Sequence, residues 1–220
     1  MNDTERHGFR DPTRLTNRTR TFLCASIVVM LFSAGTRTAV LLGYGLESPS
    51  PLLLLFVIPW AIVMAGAAVA SAVLVLVWIH RANHNARALG ATGLKMTPGW
   101  AVGWYFVPIA WFWKPYQAMK EIWQASIDPK HWWRQGGSPL LVWWWGLWLA
   151  GWWVPVLFAG GPVRIQFARG AGVAVQAETM EAVGDIAVDI LHVPLTLILL
   201  MIIDRIHNRQ MEHFSSRTAA

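Results

Sequence analysis

Four stretches of this chain, about 21–43, 52–79, 139–160 and 183–203, are long, apolar and almost free of charge. A bilayer's hydrocarbon core is about 30 Å thick, and about 20 consecutive apolar residues in a helix cross it. No water is present there to satisfy backbone N–H and C=O groups, so a spanning segment must close its hydrogen bonds internally. The expected fold is an all-α integral membrane protein with four transmembrane helices in one membrane domain, 21–204. Composition agrees. The chain is 55% hydrophobic and 14% charged, with a mean hydropathy of +0.40, whereas soluble domains carry about 25% charged residues.

A fifth apolar run, residues 98–113 (PGWAVGWYFVPIAWFW), is different. As one helix it would reach only about 24 Å at 1.5 Å per residue. Basic residues flank both ends: Arg81, Arg87 and Lys95 before it, Lys114, Lys120, Lys130 and Arg134 after it. Charge counting gives the run a side. With the N-terminus inside and 98–113 returning to the side it left, 15 of the 18 Lys and Arg lie inside; only Arg164 and Arg169 lie outside, and Arg37 is within a span. If the run crosses, 10 lie inside and seven outside. Cytoplasmic loops carry the excess of Lys and Arg, so the first arrangement is expected. It places both termini in the cytoplasm. The run then forms a re-entrant or interfacial hairpin, with Pro108 as its break and Gly99 and Gly103 as a close-packing face. The small residues of the second span, from Gly66 to Ala72, are its expected receiver. After it, Pro115 suits the first turn of a helix. Tyr116, Met119, Ile122, Trp123 and Ile127 recur on one face of 115–127, opposite Gln117, Lys120, Glu121 and Gln124. That pattern predicts an amphipathic helix in the membrane interface.

The remaining segments read as connections. Residues 1–20, with five arginines, are expected to be a disordered basic cytoplasmic arm. A turn follows at 45–51, a loop at 80–97 with Gly90 and Gly93 as breakers, a loop at 161–182, and a cytoplasmic tail at 205–220. The third span carries six tryptophans, with Trp144, Trp148 and Trp152 on one stripe. This stripe reads as packing and lipid contact, or as the aromatic wall of a ligand pocket.

Ionisable groups inside spans are costly and often functional. Arg37, Asp185, Asp189 and His192 are the candidates. Arg37 and Asp189 lie at matching depths, which predicts an ion pair. Asp185, Asp189 and His192 share one helix face. They read either as a structural pair that fixes helix register, or as a proton or ion relay or polar ligand site. His80 and His84 have a spacing that can bind metal on a helix, but no further ligand is near in sequence. Only His192 is deep in a span, which argues against haem. No HExxH, CxxC, GxSxG or phosphate-binding glycine loop occurs. No catalytic residue, metal or cofactor is therefore assigned. The single cysteine, Cys24, excludes an intramolecular disulfide.

The net charge of +6 and pI near 10.1 follow from the cytoplasmic basic excess, so nucleic acid is not an expected partner. The expected partners are the lipid bilayer, including anionic headgroups, and another membrane protein or a second copy of the chain. The primary expectation is a non-catalytic scaffold or membrane-protein partner. The alternatives are a small transporter or lipid- or small-molecule-binding protein and, last, an enzyme acting on lipid.

The stretch from Trp78 to Ser126 resembles a bacterial membrane family catalogued as domain of unknown function 4328. The residues that carry the likeness are Trp78, Arg81, Asn85 and Ala88-Leu89-Gly90, then Thr97-Pro98-Gly99-Trp100-Ala101-Val102-Gly103-Trp104. They continue with Phe106-Val107-Pro108-Ile109-Ala110, Lys114-Pro115-Tyr116-Gln117-Ala118-Met119 and Glu121-Ile122-Trp123. Where the family usually has Asn-Leu-Trp or a similar triplet after Pro-Ile-Ala, this chain has Trp111-Phe112-Trp113. The resemblance implies a membrane domain extending over most of the chain and supplies no activity.

Overall fold

The structure, a computed structural model, describes residues 8–44, 51–159 and 171–219. The expected turn after Gly45, the start of the expected loop at 161–182, and Arg164 and Arg169 lie outside the described residues. Most of the described residues are helical, with no strand among them. The helices are α1 (Thr13–Ala39), α2 (Pro51–Ala88), α3 (Pro98–Gly103), α4 (Lys114–Ile127), α5 (Pro139–Ala159) and α6 (Ala171–Ala219). Three stretches are long and apolar enough to cross a membrane: Thr13–Tyr44, Ala61–Ala88 and Met180–Ala219.

Several boundaries differ from the expected ones. The arm expected to be disordered through residue 20 is already helical from Thr13, and Thr16 and Thr19 are fully buried. The reason is local. Asp11 Oδ1 accepts from the Thr13 N–H at 2.8 Å, and Pro12 immediately precedes the helix, its carbonyl accepting from Thr16 N. Asp11 thus caps the start of the helix, and the fixed φ of Pro12 leads into it. The tail expected at 205–220 continues α6 to Ala219. No glycine or proline follows Pro194 to stop it.

The chain divides into two compact units. The first comprises Met1–Leu23, Ala70–Trp145 and Ile198–Ala220; the second comprises Cys24–Val69 and Gly146–Leu197. The first unit has a dense core. Trp78, Ile79, Leu89, Met119, Ile122, Ile202, Ile203 and Ile206 are all essentially inaccessible to solvent. The apolar face of α4 is thus covered by protein, whereas the sequence placed it against lipid. Gln210, also buried, donates to the Ala82 carbonyl at 3.0 Å and to Ser126 Oγ at 3.2 Å, joining α6 to α2 and α4. Trp78 Nε1 donates to Thr16 Oγ1 at 3.1 Å, joining α2 to α1.

In the second unit large apolar side chains point outward. Leu31, Ile62, Trp152 and Leu157 are all more than half exposed. In water such a surface marks a partner or a membrane. Replacing Gln210 with Ala deletes one buried donor between three helices and leaves a void. The expected loss is about 1–3 kcal/mol, read as a lowered unfolding midpoint in detergent or lipid discs, while Gln210→Glu tests whether volume alone suffices.

Candidate functional site

The residues of the likeness converge on the end of α2. A helix leaves its last carbonyls without intrahelical donors. Here the helix turns at Gly90, whose φ of +94° lies in the left-handed region that glycine tolerates. Arg217, from α6, donates to the Leu89 and Ala88 carbonyls. The loop that follows folds back under Arg87, whose Nη2 donates to the Leu94 carbonyl at 3.1 Å and the Met96 carbonyl at 2.8 Å. Asn83 donates to the same Met96 carbonyl at 3.2 Å. Asn85 pairs with the backbone of Arg10 in both directions, at 3.1 and 2.8 Å. His84 Nε2 donates to the Gly8 carbonyl at 2.8 Å, which gives this histidine a backbone partner.

Glu121 completes the loop lock. Sequence placed it on the polar face of α4, yet it is buried and accepts from the Met96 N–H at 3.1 Å. Burial pushes its carboxyl above the ordinary value of 4.5; the Met96 and Lys95 N–H groups and the Lys95 and Arg87 charges pull the other way. Trp123 is buried under Arg209, whose guanidinium carbon lies 4.6 Å from the ring centroid. Arg81 is half-buried and Pro115 is buried at the start of α4; Tyr116 is half-buried and Gln117 exposed.

The run 98–113 is not one helix. Thr97 caps α3, its hydroxyl accepting from Trp100 N at 3.2 Å, and α3 holds only six residues. Single 3-10 turns follow at Trp104–Phe106 and Ala110–Phe112. The break is where Pro108 predicted it, but its centre is Ile109, with φ 67° and ψ −53°. Ala110 N donates to the Pro108 carbonyl at 2.8 Å. This is a γ-turn of the rare strained form. Trp145 Nε1 donates to the Phe112 carbonyl at 3.0 Å and holds the far side. Nothing among the described residues lies within 4 Å of a Cβ built on Gly99 or on Gly66, and at Gly103 the nearest atoms belong to Trp100. The glycines therefore do not provide the helix-packing face expected of them; without a continuous helix there is no glycine stripe to present. The Trp104 indole N–H and the Tyr105 hydroxyl are out of solvent and have no hydrogen-bond partner among the described residues.

The polar residues expected within spans meet in the second unit. Arg37 forms an ion pair with Asp185 and lies 3.8 Å, through Nε, from Asp189. The Arg37–Asp189 pair that depth-matching predicts is thus present, and Asp185, one helical turn away, is a second and closer partner. Arg37 Nε donates to Ser33 Oγ at 3.3 Å, and Ser33 donates to Asp189 Oδ2 at 2.8 Å. His192 donates from Nδ1 to the Val188 carbonyl at 2.8 Å. The His192 ring also sits beside Gly151, where an added Cβ would meet it at 3.6 Å.

Sequence reasoning singled out Asn85, Arg81 and Glu121 but missed Asn83, Arg87, Gln210, Arg217 and Ser33 as connecting groups. Polar residues on the inner face of an apolar helix (Asn83, Gln210) and a serine one turn before Arg37 were the available signals.

The model of the family described as Domain of unknown function (DUF4328) matches residues 53–208, more than half of the chain. Comparison with curated proteins and with solved structures gives no match.

Two outcomes follow from the Glu121 geometry. Glu121→Ala orphans the Met96 N–H and is expected to cost about 1–3 kcal/mol; Glu121→Gln keeps an acceptor and is expected to cost less. Because the folded state holds the Glu121 proton more tightly than the unfolded state, its contribution is fully present below pH 4.5 and falls as pH rises through its raised folded value. The unfolding midpoint of the wild type is expected to fall across that window relative to Glu121→Gln. Asp11 and Asp128, both lowered from 3.8, act with the opposite sign at lower pH.

Proposed function

The chain belongs to the DUF4328 family, and on that premise we propose that it is a multi-pass membrane protein without catalytic activity, serving as a scaffold or partner for another membrane protein. The observation that carries this reading is the use made of polar groups at the end of α2. Asn83, Asn85, Arg87, Glu121, Gln210 and Arg217 each hold backbone or a neighbouring side chain. Groups engaged this way fix a shape and are not available for acid–base or nucleophilic work.

In this reading the spans number four. The additional one is α5, which has 21 residues and no charged side chain. It carries six tryptophans, and indoles favour the membrane interfaces. Both termini face the cytoplasm of a bacterial inner membrane, and 98–113 is an interfacial hairpin on that side, beside anionic headgroups.

A second reading, a small transporter or ligand-binding membrane protein, is favoured by one observation. Arg37 serves two carboxylates, Asp185 and Asp189, so the cluster carries an excess negative charge. Such an excess within a bilayer favours a proton or a cation as counter-charge.

Two measurements test these readings. In a Cys24→Ser background, a cysteine at Lys130 is expected to react with impermeant maleimide only from the cytoplasmic side; labelling from the periplasm would reject the topology. Native-lipid discs are expected to yield a stoichiometric protein partner and no bound small molecule. A bound solute lost in both Asp189→Asn and His192→Ala would instead establish the second reading.

A further inference from the structure

Four large apolar side chains of 106–113 point outward. Phe106 and Ile109 are each 71% exposed, and Phe112 and Trp113 are 38% and 44% exposed. Trp100, on α3, is also more than half exposed. Ile109 combines this exposure with backbone strain, since a β-branched residue at positive φ is a genuine outlier. Strain of this kind costs on the order of 1–3 kcal/mol and persists only where the surroundings over-determine it. The surroundings here are the bonds from Ala110 N to Pro108 O, Trp111 N to Val107 O and Phe112 N to Ile109 O, at 2.8–3.1 Å, and the Trp145 indole on Phe112 O. The result is a stiff turn that presents an isoleucine at its apex.

The charge around the turn is one-sided. Lys114 follows it directly, its ammonium 5.3 Å from the Trp104 ring centroid. Lys114, Lys120, Lys130 and Arg134 make no salt bridge to a described carboxylate. The acids of this region are already engaged: Glu121 is buried against the Met96 N–H, and Asp128 pairs with His131. Depth is limited by length. Six helical residues in α3 rise about 9 Å, far short of the middle of a core about 30 Å thick.

We propose that the Ile109 γ-turn is a shallow membrane-inserting tip: Phe106, Ile109 and Trp113 enter the boundary between headgroups and acyl chains, and Lys114 contacts anionic lipid headgroups. The tip then anchors the loop-locked end of α2 and α4 to the surface of the cytoplasmic leaflet. This inference rests on the membrane topology proposed above.

The test uses the full chain on a Cys24→Ser background in lipid discs. A nitroxide is placed by Ile109→Cys, by Phe106→Cys as a second reporter should the turn variant fail to fold, and by Leu31→Cys and Lys130→Cys as references. Power saturation with oxygen and a water-soluble nickel chelate reads depth. The labels at 109 and 106 are expected just below the phosphates, between a deep Leu31 label and an aqueous Lys130 label. With about a third phosphatidylglycerol the inserted population dominates. Lys114→Gln is expected to raise the aqueous population about fivefold, the equivalent of about 1 kcal/mol per basic residue near an anionic surface, and pure phosphatidylcholine at least as much. An aqueous tip, a tip as deep as the Leu31 label, or one shielded from both relaxants overturns the insertion. Equal depth in both lipids overturns the anionic headgroup contact. A Leu31 label in water would reject the membrane topology itself, which is a separate failure.

Discussion

The carbonyl groups at the end of α2, and those of the loop that folds back beneath it, must find donors once they leave water. This requirement organises the first unit. Ala82 O also receives Gln210, and Ala88 and Leu89 O receive Arg217, both from α6. Leu94 and Met96 O receive Arg87, and Met96 O also receives Asn83. Met96 N gives to Glu121 on α4. Donors separated by more than a hundred residues thus meet one helix end, which fixes the register of α6 and α4 against α2. A buried polar network of this kind confers shape when every member is satisfied and becomes a liability when one is removed.

That fixed frame sets the conformation of 98–113. With Met96 held from three sides, the chain enters α3 at a defined position, capped by Thr97. At the other end Trp145 holds Phe112. A sequence of sixteen mostly apolar residues between two fixed points has its direction reversed, and the reversal falls where Pro108 removes a donor and restricts the chain. Hydrogen bonds on both sides of Ile109 accompany its strained conformation. Exposure of its side chain follows from that geometry.

The second unit shows a different use of polarity. Arg37, Ser33, Asp185 and Asp189 form a compact group on otherwise apolar helices. A single guanidinium serves two carboxylates a helical turn apart, with the serine relaying between guanidinium and carboxylate. The i, i+4 spacing of the two aspartates put them on one face, and that much is readable from any helical wheel. Which of them lies nearer Arg37 depends on the stagger of α6 against α1. A one-turn difference of about 5.4 Å is finer than depth estimates from span midpoints can resolve.

The sequence by itself determined the all-helical class, the apolar stretches that form its helices, the start of α4 at Lys114-Pro115 and the break near Pro108. These follow from local physics: backbone groups must be satisfied in lipid, and proline dictates where helices begin and fail. Even the early start of α1 was written in Asp11-Pro12, a cap signal overshadowed by the arginines around it. Tertiary structure alone decided the burial of Glu121, the ordered placement of 205–219 and the open surroundings of Gly99. A glutamate on a helical wheel looks solvent-facing until a loop amide from another segment comes within 3.1 Å of it. A basic tail looks unstructured until distant carbonyls need its arginine. These are long-range matches between donors and acceptors, and no window along the chain contains both partners.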